Sequence, residues 1–297
     1  MKPFPSGLGV ALVTPFQDNG VVDFDALDLL VDYVTAGGVD YLVALGTTAE
    51  TPTLFPDERK AVLDRIRRRN AGRLPLVAGL GGNNTAAVVR ALGEFDLEGV
   101  SAVLSVTPYY NKPSQAGLYA HYRAIAEASP VPVLMYNVPG RTGVNMQAET
   151  TLRLAREVEN ILGIKEACGD MKQIAALTAG RPEGFHVLSG DDNHALGLIA
   201  LGGDGLISVA ANVCPKQVSE MIAAAMAHEA DYAEQVWQRI APLGEALFAE
   251  GNPAGVKAAL ASLGILRNRL RLPLVGVSEG LYARISQLMR ELNAPAK

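Results

Sequence analysis

One lysine stands where covalent chemistry needs an amine. Lys165 closes the apolar run Ile161-Leu162-Gly163-Ile164, and polar, Gly-containing sequence follows Glu166-Ala167. Apolar residues on both sides of a short β-rich run imply a strand buried on both faces, as in a parallel sheet. Burial disfavours the ammonium and lowers a lysine pKa from its ordinary value near 10.4. A partly neutral amine beside a carbonyl-binding pocket is a Schiff-base nucleophile. The competing reading of this stretch alone is a strand-end lysine that caps carbonyls or pairs with Glu166.

The neighbours of other apolar runs bear on that choice. Thr47 and Thr48 follow one run, Tyr109 and Tyr110 another, Tyr136 closes a third, and Gly190-Asp191-Asp192 follows a fourth; Arg141 lies just beyond Tyr136. An amine attacking a ketone needs protons moved through carbinolamine formation and dehydration. Tyrosine and threonine hydroxyls both donate and accept, as a relay requires. Thr47, Thr48 and nearby backbone N–H groups suit a small carboxylate, and Arg141 offers a planar fork for a second one. Singly, each residue has a plainer role: Tyr136 as packing, Thr47-Thr48 as partners for loop backbone, Arg141 in a surface ion pair. Their shared placement after strands favours the chemical reading.

The elements that would carry these residues alternate along the chain. Strand patterns cover residues 9–15, 41–45, 74–79, 100–106, 131–136, 161–165, 185–189 and 205–209. Between and after them, helical periodicity covers residues 24–36, the segment opening at Pro56-Asp57-Glu58, and residues 85–95, 114–128, 148–158, 172–179, 195–201 and 215–228. About eight strand–helix units at a period of roughly 28 residues predict an α/β fold of the (β/α)8, or TIM-barrel, class. A doubly wound open sheet rarely has so many consecutive parallel units. Residues 232–248, 256–263 and 279–292 read as additional helices. The expected organisation is a barrel over residues 1–228 carrying the site, with a C-terminal helical extension over 229–297 packed on it and no linker between.

Composition narrows the function classes. Of 297 residues, 49% are hydrophobic and 19% charged, enough for a large core. Net charge is −5, and the densest basic run, Arg65 to Arg69, spreads around a helix, so no nucleic-acid partner is expected. Residues 1–6 show no apolar leader core and no apolar stretch spans a membrane, so a soluble cytoplasmic protein is expected. Cys168 and Cys214 have no metal spacing, and His121, His186, His194 and His228 form no His-x-x-x-His pair; no metal is expected. Two glycine-rich stretches resemble nucleotide motifs. Gly79-Leu80-Gly81-Gly82-Asn83 lacks the third glycine of the dinucleotide fingerprint, and Gly202-Gly203-Asp204-Gly205 precedes its strand and so reads as a helix-to-strand turn.

Five ordered motifs together are similar to one family. Gly46-Thr47-Thr48-Ala49-Glu50, Thr107-Pro108-Tyr109-Tyr110-Asn111, Tyr136-Asn137-Val138-Pro139-Gly140-Arg141-Thr142-Gly143, Gly163-Ile164-Lys165-Glu166 and Leu188-Ser189-Gly190-Asp191-Asp192 resemble the dihydrodipicolinate synthases, over essentially the whole chain. These belong to the pyruvate-dependent Schiff-base superfamily, which also holds N-acetylneuraminate lyase and the 2-keto-3-deoxy sugar acid aldolases. Tyr109-Tyr110-Asn111 and Arg141 favour the synthase over those aldolases.

The resemblance implies that Lys165 forms an imine with pyruvate and that Tyr136 relays protons with Thr47 and Tyr110. It implies that Thr48 binds the pyruvate carboxylate, that Ile207 supplies a carbonyl near the imine, and that Gly190 lines the substrate site. Arg141 would hold the carboxylate of L-aspartate-4-semialdehyde. No cofactor is implied, since the protonated imine is the electron sink. The implied assembly is a homotetramer, a dimer of dimers in which Tyr110 crosses into the neighbouring subunit's site. Two departures matter. Ala49 replaces a usual glycine, at a cost of about 1 kcal/mol if that position is left-handed and none otherwise. Pro56, Arg59 and Ala87 stand where lysine-inhibited members have two histidines and a glutamate, although Asn83 and Tyr109 remain, so feedback by L-lysine is expected to be weak or absent.

Overall fold

The computed structural model describes residues 4–292; residues 1–3 and 293–297, the last of them within the expected helical extension, lie outside the described residues. Eight parallel strands close into a barrel in chain order: β1 Gly7–Ala11, β2 Tyr41–Ala44, β3 Leu76–Gly79, β4 Ala102–Val106, β5 Val133–Asn137, β6 Ile161–Glu166, β7 His186–Ser189 and β8 Gly205–Ser208. Closure is made by β1 against β8, with Gly7 opposite Gly205 and Val10 opposite Ser208. The surrounding helices are α1 Phe24–Ala36, α2 Pro56–Asn70, α3 Thr85–Glu94, α4 Gln115–Ala128, a short α5 Pro139–Thr142, α6 Ala148–Glu157, α7 Met171–Gly180, α8 Ala195–Ala200 and α9 Pro215–Met226. Three more follow, α10 Ala230–Phe248, α11 Ala254–Ser262 and α12 Glu279–Leu292. The TIM barrel expected from the alternation is the architecture found.

Strand alternation sorts the side chains into two layers. Tyr41, Val43, Val77, Leu104, Leu134, Tyr136, Leu188 and Ile207 fill the barrel interior. Leu42, Ala78, Val103, Met135, Ile164 and Val187 face outward into a larger core shared with the helices. Large interior side chains need small partners: a Cβ on Gly9 would lie 2.2 Å from the Tyr41 ring. Helices start where the local chemistry satisfies their free N–H groups. Asp23 accepts from Ala26 N, Asn84 from Ala87 N and Ser114 from Gly117 N.

Strand β1 is shorter at its C-terminal end than its hydrophobic pattern implies, because the chain leaves the regular ladder after Ala11. Leu12 N still donates to Val43 O at 3.0 Å, but Val13 N turns to the Asn212 side chain at 3.2 Å. The two glycine-rich stretches are explained by packing. A Cβ on Gly79 would meet Leu45 O at 2.1 Å, and one on Gly81 would meet Val106 N at 2.8 Å. Gly205, at φ +146, sits against the Gly7 backbone, while the neighbouring Asp204 accepts from Val187 N and pairs with Arg181. The basic run on α2 is spent on acids: Arg65 on Asp28, Arg67 on Asp64 and Asp96, Arg68 on Asp64, and Arg69 on Asp32.

The C-terminal helices are tied to the barrel by a buried charge cluster. Lys257 on α11 is wholly buried and ion-paired with Glu50. Its Nζ donates to Arg269 O at 2.9 Å and stands 4.1 Å from the Phe16 ring centroid. Burial pulls its pKa down to about 8 against the pull of Glu50. Arg271 N donates to the other Glu50 oxygen at 3.0 Å, and the Arg271 guanidinium forks onto Glu58.

A buried histidine makes stability depend on pH. His121 on α4 is 4% exposed, with Nδ1 2.8 Å from Thr85 Oγ1 and Nε2 without a partner, and burial lowers its pKa to about 4. The unfolded chain binds a proton near pH 6.5 that the folded chain refuses until about pH 4, so this stability is present above 6.5 and is lost as pH falls. Urea unfolding at pH 7 and 4.5 should show a His121 contribution to the loss of about 2 kcal/mol, and His121→Gln should remove that component.

Candidate active site

Strand alternation decides where Lys165 points. It lies in register with Tyr136 on β5 and Leu188 on β7, both interior residues, so its side chain enters the barrel mouth while Glu166 faces outward. Lys165 is 5% exposed, and its Nζ sits 4.3 Å from the Tyr136 ring centroid. No carboxylate lies within ion-pair distance of it among the described residues. Glu166 is occupied elsewhere, accepting from Asn137 Nδ2 at 2.9 Å, Gln173 Nε2 at 3.0 Å and Cys168 N at 2.8 Å. Burial raises the Glu166 pKa and, with that carboxylate beside it, pushes the Cys168 thiol up to about 12. The Lys165–Glu166 pairing considered from sequence is therefore absent: adjacent strand residues point to opposite faces.

Gly190 gives the lysine its room. A Cβ there would meet Ala167 Cβ at 2.8 Å and Lys165 Cε at 2.9 Å and Cγ at 3.1 Å, so any larger residue forces these side chains to shift. Gly190 N donates to Glu166 O at 2.7 Å, which holds the loop against β6. Ile207 lies wholly buried in β8 beside Gly9. The end of β8 is anchored by Asp192, which accepts from Ser208 Oγ and from Val209 N at 3.0 Å.

The threonine loop after β2 is a 3-10 turn over Thr47–Ala49. Thr14 Oγ1 donates to Ala49 O at 2.8 Å and Thr51 Oγ1 to Gly46 O at 2.9 Å. Left-handed backbone falls on Leu45 (φ 57) and Glu50 (φ 54) and not on Ala49, so the glycine-to-alanine departure is free of strain. Thr48 is 2% exposed, and its hydroxyl accepts from Asn252 Nδ2 at 3.1 Å. Sequence reasoning missed Asn252; its only mark is a polar residue in the loop after α10.

Tyr110 and Arg141 stand at the surface, with Tyr110 N donating to Thr142 O at 3.4 Å beside the Arg141 turn. Tyr110 is 89% exposed at φ 73, and Arg141 is exposed on the short α5, a helix the sequence pattern did not show. The hydroxyls of Thr47, Tyr136 and Tyr110 share no hydrogen bond among the described residues. At the expected effector position, Arg59 Nε is engaged by Leu54 O at 3.0 Å, and Asn83 Nδ2 donates to Tyr109 O at 3.0 Å. Among the described residues no group of three or more His, Cys, Asp or Glu side chains is placed to hold a metal, and no helix is long and apolar enough to cross a membrane.

Fold and site together define a (β/α)8-barrel protein with a buried lysine amine inside the C-terminal mouth of its sheet, the end where such barrels do chemistry. Residues 4–292 match the Dihydrodipicolinate synthetase family. The 4-hydroxy-tetrahydrodipicolinate synthase of Azobacteroides pseudotrichonymphae is 50% identical over 283 residues, covering 95% of this chain and 96% of its own. The dihydrodipicolinate synthase structure from Thermotoga maritima superposes with a TM-score of 0.94 at 41% identity, covering 97% of this chain and 98% of that one. The chloride-inhibited Acinetobacter baumannii enzyme, solved with pyruvate, superposes with a TM-score of 0.94 at 42% identity over 97% and 98% of the two chains. This chain belongs to the dihydrodipicolinate synthetase family.

Proposed function

We propose that the protein condenses pyruvate with L-aspartate-4-semialdehyde to give 4-hydroxy-tetrahydrodipicolinate, on the route to diaminopimelate and lysine. The observation that carries the reading is the Lys165 amine, buried against the Tyr136 ring with no carboxylate in ion-pair reach among the described residues. Lys165 Nζ adds to the ketone carbon of pyruvate, and loss of water leaves the imine. Loss of a methyl proton gives the enamine, whose carbon attacks the aldehyde of the second substrate. That substrate's own amine then displaces Lys165 and closes the ring. Tyr136 donates and accepts the protons, with Thr47 and Tyr110 completing the relay. Thr48 holds the pyruvate carboxylate, the Ile207 carbonyl lies near the imine, Gly190 keeps the lysine channel open, and Arg141 binds the semialdehyde carboxylate. The protonated imine serves as electron sink, so the reaction draws on no added cofactor.

The barrel over residues 1–228 carries this site, with residues 229–297 as an extension packed on it, in a cytoplasmic enzyme. The 89% exposure of Tyr110 supports a role completed by a second subunit, in a homotetramer built as a dimer of dimers. The test compares condensation with L-aspartate-4-semialdehyde against pyruvate release from N-acetylneuraminate and 2-keto-3-deoxygluconate. Turnover confined to the condensation supports the synthase; release from either sugar acid at a greater kcat/KM overturns it. L-Lysine below 1 mM should leave the rate unchanged, because an ammonium ligand facing Arg59 has no glutamate at Ala87 to compensate it. Inhibition in that range would show another group doing so.

A further inference from the structure

One buried contact joins the C-terminal helices to the barrel mouth, and none of the assigned roles uses it. Asn252, 8% exposed, donates through Nδ2 to Thr48 Oγ1 at 3.1 Å, bridging 204 residues of sequence. A threonine hydroxyl has one proton and two lone pairs. Thr48 spends a lone pair on the Asn252 amide, and its proton has no acceptor among the described residues. The far side of the same amide, Asn252 Oδ1, is buried without a partner, so the amide touches the loop through its donor alone. Two residues further on, the Lys257–Glu50 ion pair and the Arg271 N–H clamp the left-handed Glu50. The loop that presents Thr48 is thus held from the C-terminal segment at two points.

We propose that Asn252 is a positioning residue for the substrate carboxylate: its amide occupies the acceptor side of the Thr48 hydroxyl and turns the single hydroxyl proton toward bound pyruvate. The inference rests on the reading of Thr48 as the carboxylate ligand. Replacing the amide by a carboxylate of the same shape reverses the polarity. In Asn252→Asp the Thr48 proton is drawn to Asp, the oxygen lone pairs face the pyruvate carboxylate, and a negative charge stands behind them. In Asn252→Ala the hydroxyl is free to rotate, a smaller loss.

The test titrates pyruvate against the borohydride-trapped adduct, read by intact mass, in parallel with steady-state rates and thermal midpoints. For Asn252→Asp the half-saturating pyruvate concentration should rise about 10- to 100-fold, the range of one charge-assisted hydrogen bond lost. The KM for the semialdehyde and the kcat at saturating pyruvate should stay within about threefold, a split that general loosening does not produce. Asn252→Ala should have a smaller effect, and it should vanish when added to Thr48→Val, since the amide acts through that hydroxyl. If Asn252→Asp does not fold, the Asn252→Ala and Thr48→Val cycle decides alone. A wild type that forms no adduct overturns the Schiff-base reading itself. A wild type that traps normally overturns this inference alone if Asn252→Asp half-saturates within twofold of it, or if the Asn252→Ala and Thr48→Val effects multiply independently.

Discussion

Lys165→Ala should lose at least about 10³-fold in kcat, with no borohydride-stable mass increment from pyruvate, because the covalent step has no other amine to use. Nothing else in the mouth can replace it. Among the described residues Lys257 is the other buried lysine, and it is committed to Glu50 and the Arg269 carbonyl. Lys165→Arg is the sharper variant: it keeps a long basic side chain near Tyr136 but offers no nucleophilic lone pair at neutral pH. The fold should tolerate both. Lys165 has no ion pair to break among the described residues, and the polar network at this level of the barrel runs through Glu166 on the opposite face. A thermal midpoint near wild type beside abolished trapping is the expected pair of results. An adduct that persists in Lys165→Ala would place the chemistry on another residue.

Tyr136→Phe should lower kcat by about 10²- to 10⁴-fold, the range for removing a positioned general acid–base group, while keeping pyruvate trapping at long incubation. The ring is a packing element of the barrel interior, 6% exposed with Lys165 Nζ 4.3 Å from its centroid, and phenylalanine preserves that surface. Only the hydroxyl is lost. The effect therefore separates the two roles that sequence left open for Tyr136, filler or proton carrier. Adduct formation should slow in single-turnover mixing by a factor similar to kcat, since dehydration of the carbinolamine needs the same proton. A Tyr136→Phe enzyme within threefold of wild type would make the tyrosine packing only.

How far the chain could be read before folding follows from the reach of each physical signal. Hydrophobic periodicity reports which face of each segment is buried, so the eight strands, the alternating helices and the C-terminal helices were legible. Strand ends were less so, because pairing can end while apolar residues continue, as after Ala11. The inward direction of Lys165 needed the closed sheet: the sequence left a pairing with Glu166 open, and strand parity together with the register against interior Tyr136 and Leu188 decides it. That same parity rules out Glu166 as its partner.

Other features only the closed barrel decided. Ala49 could be judged harmless only once the left-handed backbone was found on Leu45 and Glu50. The tight packing of Gly190 against Lys165, where a Cβ would lie 2.9 Å from Cε, is a contact between a loop and a strand that no local pattern encodes. Asn252 lies 204 residues from the hydroxyl it touches. By itself the sequence determined the architecture, since burial repeats along each segment and leaves a periodic trace, and it named candidate polar groups by their place after the strands. Tertiary structure decided which groups meet, since hydrogen bonds and close contacts act over a few ångströms and depend on where distant segments are brought together.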